Sequence, residues 1–258
     1  MISPLYILTC HWWIFEWQYI TFNDLNMSHK FSFFVFLIVT QSMFAQQENG
    51  IFETEISKAV TYQYILQKPI QSVEKEALII FLHGSGERGT DVEKLKVHGP
   101  LKYIQTHELD AFILAPQCPD NEMWEAEALY KLIQKVISEQ NIDPNRIYLT
   151  GLSMGGWGTW NLAFAHPEMF AAVVPICGFV DRVPMLNPCQ LENIPIRIFH
   201  GLLDDVVDVR ESIDIYKRLK NCNSDIELTI FDDANHDSWT RVYDHPDIYN
   251  WMLDQKKK

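Results

Sequence analysis

The chain of 258 residues lacks the usual spacings of a zinc site, since its five cysteines form no CxxC and its nine histidines no HExxH. It is also short of positive charge, with 21 lysines and arginines against 34 acidic residues and a net charge of -13. That balance excludes partners held by neutralising phosphates, so no nucleic acid is expected. Between residues 50 and 252 there is no internal repeat, no low-complexity stretch and no Gly/Ser/Pro linker, which leaves one domain for that span. A composition 47% hydrophobic and 21% charged is that of an ordinary globular chain able to build one sizeable core.

Long apolar runs are missing too. The longest near the front, Phe31 to Thr40, has about half of the ~20 residues that an ideal membrane-spanning helix needs. With Lys30 before it and Ala45 after it, residues 27–45 read as a secretory signal peptide, and no stable membrane anchor is expected after its cleavage. No cysteine follows the run, so a lipoprotein lacks its attachment residue. Residues 1–26 hold Trp12, Trp13 and Trp17 broken up by Cys10, His11 and Glu16, and Met27 is a natural start; that stretch reads as an over-long gene start. The expectation is an exported protein, periplasmic or extracellular, with residues 46–258 as its single domain. Losing the front removes only Lys30 against Glu16 and Asp24, so the acidity survives.

Export gives Cys118, Cys177, Cys189 and Cys222 a compartment that permits disulfides. Cys189 with Cys222 is the preferred pairing, because each precedes an expected strand and neighbouring parallel strands put both at one edge. Four buried free thiols are the alternative.

Apolar runs of strand length recur at about 60–67, 77–83, 111–115, 146–151, 171–176, 196–200 and 226–232. Several, such as ALIIFLH and IRIFH, are continuous, as in strands covered on both faces of a mostly parallel sheet. Between them, Ala126, Leu129, Ile133 and Ile137 fall at helical spacing in a stretch from Glu125 to Glu139, before Asp143 and Pro144. The alternation implies a doubly wound α/β domain. The short gap between Ile176 and Ile196 leaves no room for a lid domain.

Chemistry is carried first by TGLSMGGWGTW, in which Gly151, Ser153 and Gly155 spell GxSxG directly after the apolar strand RIYLT. A serine hydroxyl is a poor nucleophile unless exposed beside a base, and a tight strand-to-helix turn aims it out of the sheet. The same turn leaves the Met154 N–H at a helix N-terminus, free to donate to an oxyanion. Three glycines in the following helix each cost about 0.8–1 kcal/mol relative to alanine, so close backbone approach must outweigh propensity there. An acid and a base are expected later in the chain. Asp204 follows IRIFHG, with Asp205 as its competitor, and His236 follows ELTIFDD, each just beyond the carboxyl end of a strand. His83 and His200 each precede a glycine at a strand end and read as structural; His98, His107, His166 and His245 have weaker contexts.

The turn FLHGSGERG offers a second oxyanion donor, preferentially at Ser85, with Gly84 and Gly86 as alternatives. Glu87 and Arg88 read as surface residues of that turn, an ion pair between them being the other reading. Gly84, Gly86 and Gly89 also spell the GxGxxG of a dinucleotide site, with Glu108 and Asp110 further on, but export and the serine constellation oppose it. Trp124, Trp157 and Trp239 are candidate walls of an open cleft, able to stack on a sugar or phenolic ring; core packing is the competing reading for all three.

Taken together, HGSGERG, APQCP, NRIYLTGLSMGGWGTW, AAVVPICG, FHGLLDD and NHDSW resemble the α/β-hydrolase superfamily over residues 60–252. The similarity is to secreted carboxylesterase-like members, also called predicted peptidases or phospholipase/carboxylesterases, related to feruloyl and acetyl-xylan esterases. The resemblance implies a Ser153, Asp204, His236 triad with an oxyanion hole from Met154 and the 84–86 turn. It implies ester hydrolysis through an acyl-enzyme, with no metal or organic cofactor and with a small or polysaccharide-linked ester as substrate. Asn235 departs from the glycine usual before the histidine. A serine peptidase, a phospholipase and a non-catalytic binding module of the same fold are the rival readings.

Overall fold

The computed structural model describes residues 51, 58–70 and 75–257. The signal-like segment 27–45 and the stretch 1–26 lie outside the described residues. Among the described residues seven strands form one sheet: β1 (Gln63–Gln67), β2 (Glu76–Leu82), β3 (Phe112–Gln117), β4 (Ile142–Leu152), β5 (Ala172–Ile176), β6 (Ile196–Gly201) and β7 (Ile226–Phe231). Their spatial order is β1-β3-β2-β4-β5-β6-β7, with β1 antiparallel to β3 and every other pair parallel. The helices are α1 (Gly99–Tyr103), α2 (Ala126–Glu139), α3 (Met154–Ala165), α4 (Arg210–Leu219), α5 (Trp239–Tyr243) and α6 (Pro246–Asp254).

The continuous apolar runs become strands covered on both sides. In β2, Leu78, Ile80 and Leu82 face a core shared with α2, α3 and α4, while Ala77, Ile79 and Phe81 face a second core with α1, α5 and α6. Successive side chains of a strand point to opposite faces, so one run feeds both cores. Each buried Leu, Ile or Phe contributes about 1.5–3 kcal/mol relative to exposure, which explains why such runs dictate the sheet. In α2, Leu129, Ile133 and Val136 are buried at helical spacing.

Strand β4 begins earlier than its apolar run. Glu76 pairs with Ile142 but Leu78 pairs with Ile147, a shift that leaves Pro144 inside an irregularity where no ladder donor is required of it. Between β5 and β6 the chain makes only two 3-10 turns, Pro184–Leu186 and Pro188–Leu191, and no inserted domain. A disulfide joins Cys189, ahead of β6, to Cys222, ahead of β7. Because β6 and β7 are neighbouring and parallel, their starting ends lie together, as the pairing requires. Cys118 and Cys177 are buried free thiols.

Candidate active site

The parallel register brings distant segments to one sheet edge. Leu82 pairs with Gly151, so the turn after β2 lies beside the turn after β4, where the strand order reverses direction along the sheet. Open α/β sheets form their clefts at this kind of crossing point, beyond the carboxyl ends of the strands. Gly201 pairs with Phe231, which sets the loop after β6 beside the loop after β7.

Ser153 lies between β4 and α3 with φ 53° and ψ -118°, a left-handed backbone that a residue with a side chain adopts only when its surroundings enforce it. Its N–H donates to the Ile176 carbonyl (2.9 Å), and its own carbonyl accepts from Trp157 N–H (3.0 Å), opening α3. Tight packing accounts for the helical glycines. A Cβ on Gly155 would run into the Leu82 carbonyl, and one on Gly158 would lie 2.6 Å from the Trp124 ring. Alanine's better helix propensity is worth less than these clashes.

Ser153 Oγ lies 2.9 Å from His236 Nε2, and His236 Nδ1 lies 2.8 and 3.0 Å from the two carboxylate oxygens of Asp204. With a carboxylate at Nδ1, that nitrogen carries the proton and Nε2 is free to accept the serine hydroxyl's. Asp204 Oδ1 also accepts the Val206 and Val207 N–H groups, both at 2.9 Å. Burial works against the carboxylate's charge, but hydrogen bonds from His236, Val207 and Val206 more than offset it and hold the group below the usual aspartate range. Asn235, the departure before the histidine, accepts the Asp237 N–H at Oδ1 (3.1 Å) and so turns the chain just past the base.

Two backbone N–H groups open helical turns next to the nucleophile. Met154 is the first residue of α3, so its N–H has no acceptor within the helix, and Ser85 opens the 3-10 turn Ser85–Glu87 in the same way. The Cβ position of Gly84 is 3.6 Å from that of Ser153, so this turn runs directly over the serine. It is anchored from below by His83, which sequence reading took as structural. Its Nε2 accepts the Cys118 N–H (2.9 Å) and its Nδ1–H donates to the Gly84 carbonyl (2.5 Å). Burial lowers the His83 pKa from 6.5 to about 4, so the ring is neutral and both bonds are kept at neutral pH. The glycines of this turn lead into three residues of 3-10 helix, not into the α-helix a dinucleotide site needs.

Several expectations need correction. Trp124 is only 3% exposed, its ring edge-on to His83 (centroids 4.8 Å) and filling the space left by Gly158. It therefore offers no open face on which a sugar could stack. Glu87 is not a surface partner of Arg88: it is largely covered and faces His83 and His98 at 3.7 and 3.8 Å, while Arg88 Nη2 points at Met123 Sδ (3.0 Å). Trp157 and Trp239 are partly exposed. Trp157 Nε1 donates to Asp181 (3.0 Å) and its ring lies along Phe179, whereas Trp239 stands edge-on to His236 with centroids 5.3 Å apart.

Two residues beside Asp204 were not singled out by sequence reading as part of the site. His200, at the end of β6, places Nε2 3.1 Å from Asp204 Oδ2 and 2.9 Å from the Val207 carbonyl, and its Nδ1 2.7 Å from Ser212 Oγ on α4. The only sequence signal is its place four residues ahead of Asp204 in FHGLLDD. Cys177, with φ 40°, puts its sulfur within 4.8 Å of ligand atoms of Asp204 and His236. Burial pushes that thiol up to about 12, so it stays protonated and packs as a small apolar group.

A groove of about 570 Å³ runs along α3 from Trp157, one turn from Ser153, past Asn161 to Phe164, and is closed on its far side by Asp181, Val183 and Gln190. A larger concavity, about 710 Å³, lies between Lys58, Tyr62 and α2; neither it nor the groove is itself lined by Ser153, His236 or Asp204, and the groove is the one that reaches the start of α3 beside the serine.

A mostly parallel sheet with a serine on the β4–α3 turn and helices on both faces defines an α/β-hydrolase. The model of the phospholipase/carboxylesterase family matches residues 120–245 of the chain. A solved thermostable esterase is 33% identical, covers 77% of this chain and 60% of its own, and superposes with a TM-score of 0.66. An acyl-protein thioesterase 1 homolog of Dictyostelium discoideum is 27% identical over 52% of this chain and 72% of its own length. A bifunctional acetylxylan esterase/xylanase of Neocallimastix patriciarum is 28% identical over 47% of this chain and 17% of its own length. The match spans 13% to 72% of the length of these and other curated relatives.

Proposed function

We propose that the protein is an exported serine hydrolase that cleaves carboxylic esters through an acyl-enzyme, with acyl groups on neutral polysaccharides as its substrates. The observation that carries this reading is the unbroken line from Ser153 Oγ through His236 to Asp204, with Met154 and Ser85 each opening a helical turn close by. His236 Nε2 takes the serine proton as Oγ attacks the acyl carbonyl, and Asp204 steadies the imidazolium that forms. The N–H groups of Met154 and Ser85 receive the negative oxygen, each worth on the order of 3–4 kcal/mol of barrier at other hydrolases. His236 then returns the proton to the departing alcohol, and water repeats the cycle on the acyl-serine.

The substrate class rests on the groove beside α3. Among the described residues no lysine, arginine or histidine lines it. Lys58, which reaches its Glu125 wall, is paired with Glu122 and Glu125. An aromatic ring, amides and no cation suit an uncharged sugar chain and give a phosphorylated headgroup nothing to bind. The acetylxylan esterase named above supports the same direction, and the segment 27–45 supports export.

The test is a panel of acetyl, feruloyl and longer-chain esters with one thioester, run beside Ser153→Ala, together with labelling by a fluorophosphonate probe. Ester turnover and labelling that vanish in Ser153→Ala are expected. An unlabelled Ser153 in the folded protein would refute the hydrolase reading, and faster cleavage of phosphatidylcholine vesicles than of acetylated oligosaccharides would refute the substrate class.

A further inference from the structure

The Asp204 side chain is covered from solvent, and a covered carboxylate needs a donor for each oxygen or it turns toward whichever donor remains. Oδ1 has the two N–H groups of Val206 and Val207. Oδ2 faces the His236 ring at 2.8 Å on one side and, on the other, the ring of His200 at 3.1 Å. His200 is itself fully buried, and its Nε2 is flanked only by acceptors, the Val207 carbonyl and Asp204, so Nε2 carries hydrogen. Its Nδ1 faces the Ser212 hydroxyl, which donates to it from α4. The remaining ionisable neighbours are the protonated Cys177 thiol near Asp204 and the Asp208 carboxylate, which is engaged by Arg210.

We propose that His200 is a positioning residue for the site. Its Nε2–H donates to the Val207 carbonyl and so pins the loop whose Val206 and Val207 N–H groups hold Asp204 Oδ1, while the ring lies against Oδ2 at 3.1 Å; together these set the carboxylate in one orientation toward His236 Nδ1, and Ser212 in turn fixes His200. The proposal rests on the triad reading above and adds to it a second histidine and a contribution from α4. Two consequences follow from the chemistry. First, His236 Nδ1 keeps a straight acceptor while Nε2 exchanges its proton with Ser153, a preorganisation that a rotating carboxylate would lose. Second, the Nε2–H dipole lying 3.1 Å from Oδ2 favours the carboxylate remaining an anion when His236 becomes imidazolium. The bonds thus run from helix to nucleophile in the order Ser212, His200, Val207, Asp204, His236, Ser153.

The experiment compares His200→Leu, which removes the donor, with His200→Gln, which keeps an N–H donor, and with Ser212→Ala, which leaves the ring but removes its anchor. Each is followed by kcat and KM on p-nitrophenyl acetate and by the low-field proton NMR resonance of His236 Nδ1–H. His200→Leu is expected to lower kcat at least ten-fold with KM changed less than three-fold, and to shift or broaden that resonance. His200→Gln is expected to recover most of kcat, and Ser212→Ala to lower it about three-fold with a smaller shift of the same signal. If His200→Leu does not fold, the Gln and Ala variants carry the test by the same readings. An unmoved resonance with kcat within two-fold in the Leu and Ala variants would overturn the proposal, as would equal losses for Leu and Gln. Absence of ester turnover by the wild-type protein would instead overturn the hydrolase reading.

Discussion

Acidification should release the turn over Ser153 through one side chain, His83. Folded, its pKa is about 4; unfolded, it takes the ordinary value of 6.5. Between those values the unfolded chain binds a proton that the folded chain refuses, so stability falls as pH drops from 6.5 toward 4 and levels off below. At about 1.4 kcal/mol per pH unit the loss comes to about 3 kcal/mol from this one group. Against a total stability of about 5–15 kcal/mol for a domain, that is enough to set its acid limit. The structural reason is that Nε2 must remain unprotonated to accept the Cys118 N–H, while Nδ1–H holds the Gly84 carbonyl. Guanidinium unfolding of wild type and His83→Gln between pH 4 and 7 isolates the effect as a difference of two curves. The wild type should lose about 3 kcal/mol more than the variant across this window. Parallel curves would refute the reasoning, as would nitrogen NMR shifts showing the wild-type ring doubly protonated at pH 5.5 in the folded protein.

Other outcomes follow from the same geometry. Asp204→Asn should leave the fold in place and lower kcat on a small ester by roughly 10³–10⁴-fold, since Nδ1 of His236 then loses its anionic partner; a ten-fold loss or less would mean that Asp204 is not the acid. Gly155→Ala, whose Cβ meets the Leu82 and His83 carbonyls, should lower the free energy of unfolding by at least ~2 kcal/mol despite alanine's helix propensity, read by chemical denaturation. Reducing the Cys189–Cys222 bridge, or Cys189→Ser, frees a loop with a sequence separation of 33 and should lower stability by roughly 3–4 kcal/mol, seen as a shifted denaturation midpoint. Trp157→Ala should reduce kcat/KM for an acetylated neutral oligosaccharide relative to p-nitrophenyl acetate at least five-fold, and an unchanged ratio would remove that ring from the substrate path.

The strands were legible because they are buried on both faces and so are apolar without interruption, as in Ala77 to Leu82 and Ala172 to Ile176. The GxSxG turn was legible for a different reason, since Gly155 can be nothing else beneath the Leu82 carbonyl. Asp204 and His236 were found by position, each following a strand, and the register of β6 with β7 sets them side by side. What stayed hidden depended on three-dimensional proximity between side chains of ordinary type. His200 reads as a buried histidine and is one; that its Nε2 meets Asp204 depends on how the chain doubles back over five residues. Trp124 misled because aromatic residues near a motif look alike whether they line a cleft or fill the gap beside a helical glycine. The antiparallel direction of β1 and the shift in β4 are set by pairing, which a single strand's sequence does not encode.

The cystine bridge ties β6 and β7 together at their starting ends, while the acid and the base hang from their finishing ends. Since β7 is the outermost strand of the sheet on that side, it is the rail most exposed to peeling, and the base travels with it. Opening the bridge would let this border lift away while the other six rails stay zipped. Heating a reduced sample should therefore extinguish turnover at a lower temperature than it melts the bulk of the backbone, so that catalysis becomes the earliest gauge of damage at a margin of the sheet remote from the nucleophile.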